Sequence, residues 1–163
     1  MIISARKNRK TIFTMGNGGS GSTASHFVSD LQKTVIVKNE NRIKAISLVD
    51  NMPVILAWSN DVSFDKIFEE QLKNQVEKND IVIAFSGSGK SKNIINALKI
   101  AKKMGAKCIG FTGKTGGSFN AICDITFKVP SNDMLTIESQ HVTICHCIAS
   151  TIRSLGKPMF EYD

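Results

Sequence analysis

No apolar run in this chain approaches the roughly 18 residues that a membrane-spanning helix needs, and the basic N-terminus has no apolar leader segment behind it. The expectation is a cytoplasmic chain with no membrane partner. The four cysteines (Cys108, Cys123, Cys145, Cys147) contain no C-x-x-C pair and read as reduced packing residues rather than a disulfide framework. Aromatic residues make up only 7%, and the basic residues behind the net charge of +7 are dispersed through helix faces (Lys99, Lys102, Lys103, Lys107) instead of interleaving with aromatics. That pattern speaks against nucleic acid as a partner. Internal repeats, low-complexity tracts and interdomain linkers are missing as well, so the 163 residues, 42% of them hydrophobic, are expected to form a single domain over 1–163 that buries a core without staples.

What the chain does have is two loops rich in glycine and serine, Gly16-Asn-Gly-Gly-Ser-Gly-Ser-Thr23 and Ser86-Gly-Ser-Gly-Lys-Ser91. Each follows a short apolar run and opens onto a helical pattern. Small residues let the backbone approach an anion, hydroxyls donate to its oxygens, and the helix behind presents free N–H groups. The expected ligand carries a phosphate.

Strand and helix patterns alternate along the chain. Strands are expected over 11–15, 43–49, 81–85, 107–112 and 124–129, and helices over 22–35, 54–58, 64–76, 92–104 and 137–155. This predicts an α/β fold, a doubly wound three-layer sandwich on a mainly parallel five-stranded sheet, with both loops facing one crevice at the strand C-terminal edge.

Three readings of the loops compete. Gly16-x-Gly18-x-x-Gly21 fits the dinucleotide fingerprint, with Asp50 placed to take a ribose hydroxyl. The same stretch nearly matches a P-loop, but Ser22 stands where the phosphate-binding lysine belongs, which argues against nucleotide hydrolysis. Ser86, Ser88 and Ser91, supplemented by Lys90, suit a single phosphate monoester, although serine and glycine there also serve a turn and a helix cap.

In order and over nearly the whole chain, Met15-Gly-Asn-Gly-Gly-Ser20, His26-Phe27-x-x-Asp30-Leu31, Ser59-Asn60-Asp61, Phe85-Ser-Gly-Ser-Gly-Lys-Ser91, Gly110-Phe-Thr-Gly-Lys-Thr-Gly-Gly117 and Glu138-x-x-His141-x4-His146 resemble the phosphoheptose isomerases, enzymes of the sugar isomerase (SIS) domain family. The resemblance implies an aldose-ketose isomerase that converts sedoheptulose 7-phosphate to glycero-manno-heptose 7-phosphate for heptose and surface-glycan synthesis. It implies a phosphate cradle of Ser86, Gly87, Ser88 and Ser91, and sugar contacts from Asn17, Gly18, Gly19, Ser20, Asn60, Asp61 and Glu138. Asp30 and His146 become the catalytic pair, and His26, Asp30, Glu138 and His146 the ligands of a zinc ion found in some members. It further implies a homotetramer with sites at subunit interfaces, Glu138 and His146 arriving from a neighbouring subunit.

The chain departs from the family where Asp30 replaces Glu, Glu138 replaces Gln, Gly87 replaces Thr and Lys90 replaces Asn, and residues 1–7 are what stands in place of the family's N-terminal helical region. Some relatives with this domain bind a replication initiator or regulate transcription, so a non-catalytic sugar-phosphate-binding module is the alternative.

Isomerisation through an enediol needs a base near two adjacent carbons and an acid near their oxygens. His26 and Asp30, at i and i+4, share a helix face and suit either that task or metal ligation. Glu138 and His146 are eight residues apart, roughly 12 Å along an ideal helix, so spacing alone does not bring them to one ion. His141 lies about 140° around the helix from His146 and is expected to contact another helix.

Overall fold

The computed structural model describes residues 1–160. Its elements run α1 (Ile2–Lys7), β1 (Thr11–Gly16), α2 (Gly18–Ser29), β2 (Lys44–Ser47), α3 (Met52–Asp61), α4 (Glu69–Gln75), β3 (Ile81–Phe85), α5 (Lys92–Lys103), β4 (Lys107–Thr112), α6 (Phe119–Ile122), β5 (Ile125–Lys128) and α7 (Met134–Arg153). The five strands make one sheet of order β2-β1-β3-β4-β5, parallel throughout. All five residues of β3 are buried, as a central parallel strand covered on both faces requires.

The two-residue period of the strands divides the core in two. Ile81, Ile83 and Phe85 face α2 and α7 together with Phe27, Leu31, Cys145 and Ala149. Val82 and Ala84 face α4 and α5 with Phe68, Leu72, Ile94 and Leu98. Because β2 lies on one side of β1 and β3 on the other, the chain reverses direction across the sheet between β1 and β3. Gly16 stands opposite Phe85 in that register, so the two glycine-serine loops leave adjacent strand ends at the switch point, where such sheets bind ligands.

The departures from the expected elements are local. The first long helix starts earlier, at Gly18, and after Ser29 widens into a π-helical turn, Asp30–Thr34, in which the Val35 N–H donates to the Asp30 carbonyl at 3.1 Å. The expected 64–76 helix divides into a 3₁₀ turn, Phe64–Lys66, and α4. Ile67, Phe68 and Leu72 keep their place in the core, whereas Phe64 turns outward. Helix α3 outruns its expected span, capped by Asn51 on the Val54 N–H, and buries none of its residues. Helices α1 and α6, of six and four residues, are too short to leave a periodic signal. Among the described residues no helix is long and apolar enough to cross a membrane.

Candidate functional site

The serine loop begins as β3 ends. The Ser86 hydroxyl lies 3.5 Å from that of Ser88 and 3.2 Å from that of Ser91, and Ser88 Oγ accepts the Lys90 N–H at 3.1 Å. Ser91 occupies the N-cap of α5, yet its side chain accepts no N–H from the first turn. The hydroxyls therefore converge on one another at the positive end of a helix instead of capping it, which leaves them free to donate to an anion. The loop after β4 braces this arrangement: the Gly113 N–H and the Thr112 hydroxyl both donate to the Gly87 carbonyl, at 2.9 and 3.3 Å.

The two loops are tied by a residue that sequence reasoning missed. Asn17 and Asn93 exchange amide hydrogen bonds of 3.1 and 2.8 Å, and Asn93 is 2% exposed. The available signal was an amide two positions after the last loop serine, on the buried side of an otherwise apolar helix face. Beside Asn17 and Gly18 lies a cleft of about 530 Å³ that reaches His26, with Met52, Ile55 and Phe64 forming its far wall.

The third part of the site comes from packing. Helices α2 and α7 cover the same sheet face after parallel strands, so they run in the same direction and pair in register. Glu138 lies over Gly19, and about two turns further on His146 meets His26 and Asp30. A Cβ built at Gly19 would fall 2.5 Å from Glu138 Oε2, so only glycine lets that carboxylate approach the first turn of α2. Glu138, Thr23 and His26 share a cleft of about 330 Å³.

The Nε2 atoms of His26 and His146 are 2.8 Å apart, with the rings edge to face. Asp30 Oδ2 lies 3.5 Å from the first and 3.7 Å from the second, and the three ligand atoms fall within 4.8 Å of one another. The imidazoles are about half exposed, but Asp30 Oδ2 is shut off from solvent and accepts no hydrogen bond. An unsatisfied buried carboxylate oxygen is costly unless something electropositive reaches it. Two imidazole nitrogens at this separation either share one proton or turn two lone pairs toward a common cation. Behind the cluster, burial pushes the Cys145 thiol up to about 12, with the Asp30 charge adding to the effect. Burial likewise pushes Cys108 and Cys123 up to about 12, so these interior thiols stay protonated and packed.

Several expectations are corrected by this geometry. His146 reaches His26 and Asp30 from helix α7 of the same chain, so a neighbouring subunit is not needed to supply it. Glu138 is not in the His26–Asp30–His146 group, because a regular α7 keeps it two turns away, at Gly19. His141 does not pack on another helix: it is fully buried against the sheet, beside Phe85 and Phe111, with Nε2 3.3 Å from the Thr112 carbonyl. Cys147, two positions from buried Cys145, emerges exposed. Asn60 and Asp61 stand exposed at the end of α3, hydrogen-bonded to each other at 2.8 Å.

Residues 1–113 match the family model described as SIS domain. The chain is 40% identical over 153 residues to a phosphoheptose isomerase of Aliarcobacter butzleri, covering 93% of this chain and 80% of that one. It is 36% identical over 151 residues to a probable phosphoheptose isomerase of Thermoplasma acidophilum, covering 93% and 82%. Among solved structures, a phosphoheptose isomerase from Francisella tularensis superposes with a TM-score of 0.88 at 31% identity, over 94% of this chain and 81% of that one.

Proposed function

Since the chain belongs to the SIS-domain phosphoheptose isomerases, we propose that it interconverts sedoheptulose 7-phosphate and glycero-manno-heptose 7-phosphate through an enediol. The observation that carries this reading is the buried, unbonded Asp30 oxygen facing two imidazole nitrogens, in a chain whose switch-point crevice carries three convergent serine hydroxyls.

Ser86, Ser88 and Ser91 hold the phosphate, with the N-terminus of α5 behind them. Asn17, Gly18, Gly19 and Ser20 line the sugar, and Glu138, overhanging Gly19, accepts from a sugar hydroxyl. Asn60 and Asp61 belong to the same set by resemblance. Asp30, as carboxylate, takes the proton from C1 of the ketose while His146 protonates O2. The enediol then receives a proton at C2 and gives up the O1 proton as the C1 carbonyl forms, which restores both groups.

The donor set of two imidazole nitrogens and one carboxylate oxygen suits zinc, and the orphaned Asp30 oxygen fits that role. His26, Asp30 and His146 would hold the ion. When bound, zinc would supply Lewis-acid polarisation of the carbonyl oxygen in place of the proton that His146 gives in the metal-free site. Homo-oligomeric assembly is supported by α3 and the turn after it, where Met52, Leu56, Val62 and Phe64 are each more than half exposed. Two buried thiols and the half-buried Cys123, all protonated, suit a reducing cytoplasm.

The test is proton NMR of the protein with sedoheptulose 7-phosphate in D2O, run as purified, after chelation and with zinc restored. The expected result is appearance of the aldose, with the chelated arm slowed. No conversion in any arm while the ligand still binds would replace the reading with a non-catalytic sugar-phosphate module.

A further inference from the structure

The cradle uses one side of the loop after β3. Its other side opens onto a separate cleft of about 210 Å³, which receives a lysine from each of two loops: Lys90 from the serine loop and Lys114 from the glycine-rich loop after β4. Ser88, Thr115 and Ser131 add hydroxyls to the wall, and no carboxylate lines it. The acid nearest in sequence, Asp133, is engaged as the cap of α7, accepting the Thr136 N–H at 2.8 Å.

Lysines elsewhere are often neutralised: Lys66, Lys73 and Lys102 sit 2.7–2.9 Å from carboxylates. Lys90 and Lys114 are exposed, and neither is in an ion pair among the described residues. Buried Ile137 and exposed Met134 form the cleft's apolar side. Gly87 lets Met134 sit here, because a Cβ at that position would fall 2.5 Å from Met134 Sδ and displace it. Cradle and cleft meet at Ser88, whose hydroxyl is 3.5 Å from that of Ser86.

We propose that this cleft is a second anion subsite, continuous through Ser88 with the cradle, that takes a phosphoryl dianion in addition to the phosphate in the cradle. It rests on the functional reading only in assigning a phosphate to the cradle. The second dianion is either free inorganic phosphate or the other phosphate of a bisphosphorylated sugar.

Calorimetric titration of the full chain with inorganic phosphate tests the subsite without turnover. The expected result is two phosphates per chain, falling to one in Lys114→Ala and in Lys90→Ala/Lys114→Ala, with Lys114→Arg restoring the second. One phosphate per chain in the unmodified protein, or two in the double variant, overturns the proposal. A second arm compares sedoheptulose 6,7-bisphosphate, whose second phosphate lies next to the one in the cradle and leaves C1 free for Asp30, with the 7-phosphate. An advantage of about tenfold for the bisphosphate, lost in Lys114→Ala, assigns the subsite to a tethered phosphate, the size expected from a charge-assisted contact. Equal affinities alongside two bound phosphates assign it to the free ion. A chain that binds two phosphates in this lysine-dependent way yet isomerises nothing would refute the functional reading and leave the subsite standing.

Discussion

The serine loop gathers its three hydroxyls from six consecutive residues, whereas the cluster at Asp30 joins two histidines 120 positions apart. The first is fixed by a strand end, a helix start and short loop bonds. The second exists only because α2 and α7 pack in parallel on one sheet face. Ground-state binding of phosphate and proton transfer are thus assigned to parts of the chain with different structural dependencies, and the two should fail independently.

The largest effect expected is on turnover. Asp30→Ala and His146→Ala should each lower kcat by about 10²–10⁴-fold, the usual worth of a positioned acid or base. Inorganic phosphate affinity should stay within a few-fold, since neither residue touches the loop. NMR turnover and calorimetry measure the pair of quantities, and a matching loss of phosphate binding would show that the two regions act as one.

Asn93 probes the join between the loops. Asn93→Leu removes a 2%-exposed amide and strands its partner on Asn17, which should cost about 1–3 kcal/mol of stability in a denaturant titration. Asn17→Ala, at the other end of the pair, should cost a similar amount. A negligible change in both would mean that the loops hold their places without each other.

A smaller effect belongs to the cradle itself. Ser91→Ala removes one donor from a set of three, so KM should rise about tenfold or less with kcat changed little. A fall in kcat at constant KM would move Ser91 from phosphate binding into the transition state.

The same contrast decides what could be read from the amino acids. The strands at 81–85 and 107–112 were legible to the residue because a buried parallel strand is an unbroken apolar run ended by a glycine or serine loop. The phosphate loop was legible because its chemistry is contiguous. The His26–Asp30 pair was legible from its i, i+4 spacing, but its meeting with His146 only through family resemblance, since nothing in the spacing says that two helices will lie parallel. Glu138 shows where resemblance outran geometry: eight residues on a regular helix put it at Gly19, away from the ion-binding group. Asn93 and His141 were opaque for a further reason, because a buried polar side chain on an apolar face declares itself only once its partner is in place.

His141 also offers the smallest and most discriminating test, because it links the two regions. It lies on α7 between Glu138 and His146, and its Nε2 donates to the carbonyl of Thr112, whose hydroxyl holds Gly87 in the serine loop. Its Nδ1 is buried without a partner. Burial pushes the imidazole below its ordinary value, and the bond to Thr112 offsets only part of that. The unfolded chain therefore takes up this proton first as pH falls below about 6.5, and the folded state loses stability, by at most about 1.4 kcal/mol per pH unit, until the folded imidazole is itself protonated. Denaturant midpoints measured from about pH 7.5 to about pH 5.5 should fall more steeply for the unmodified chain than for His141→Phe, which cannot titrate. Parallel slopes would remove His141 as an acid-sensitive link. A steeper slope accompanied by earlier loss of phosphate affinity would mean that α7 and the serine loop, independent at neutral pH, are released together by one proton.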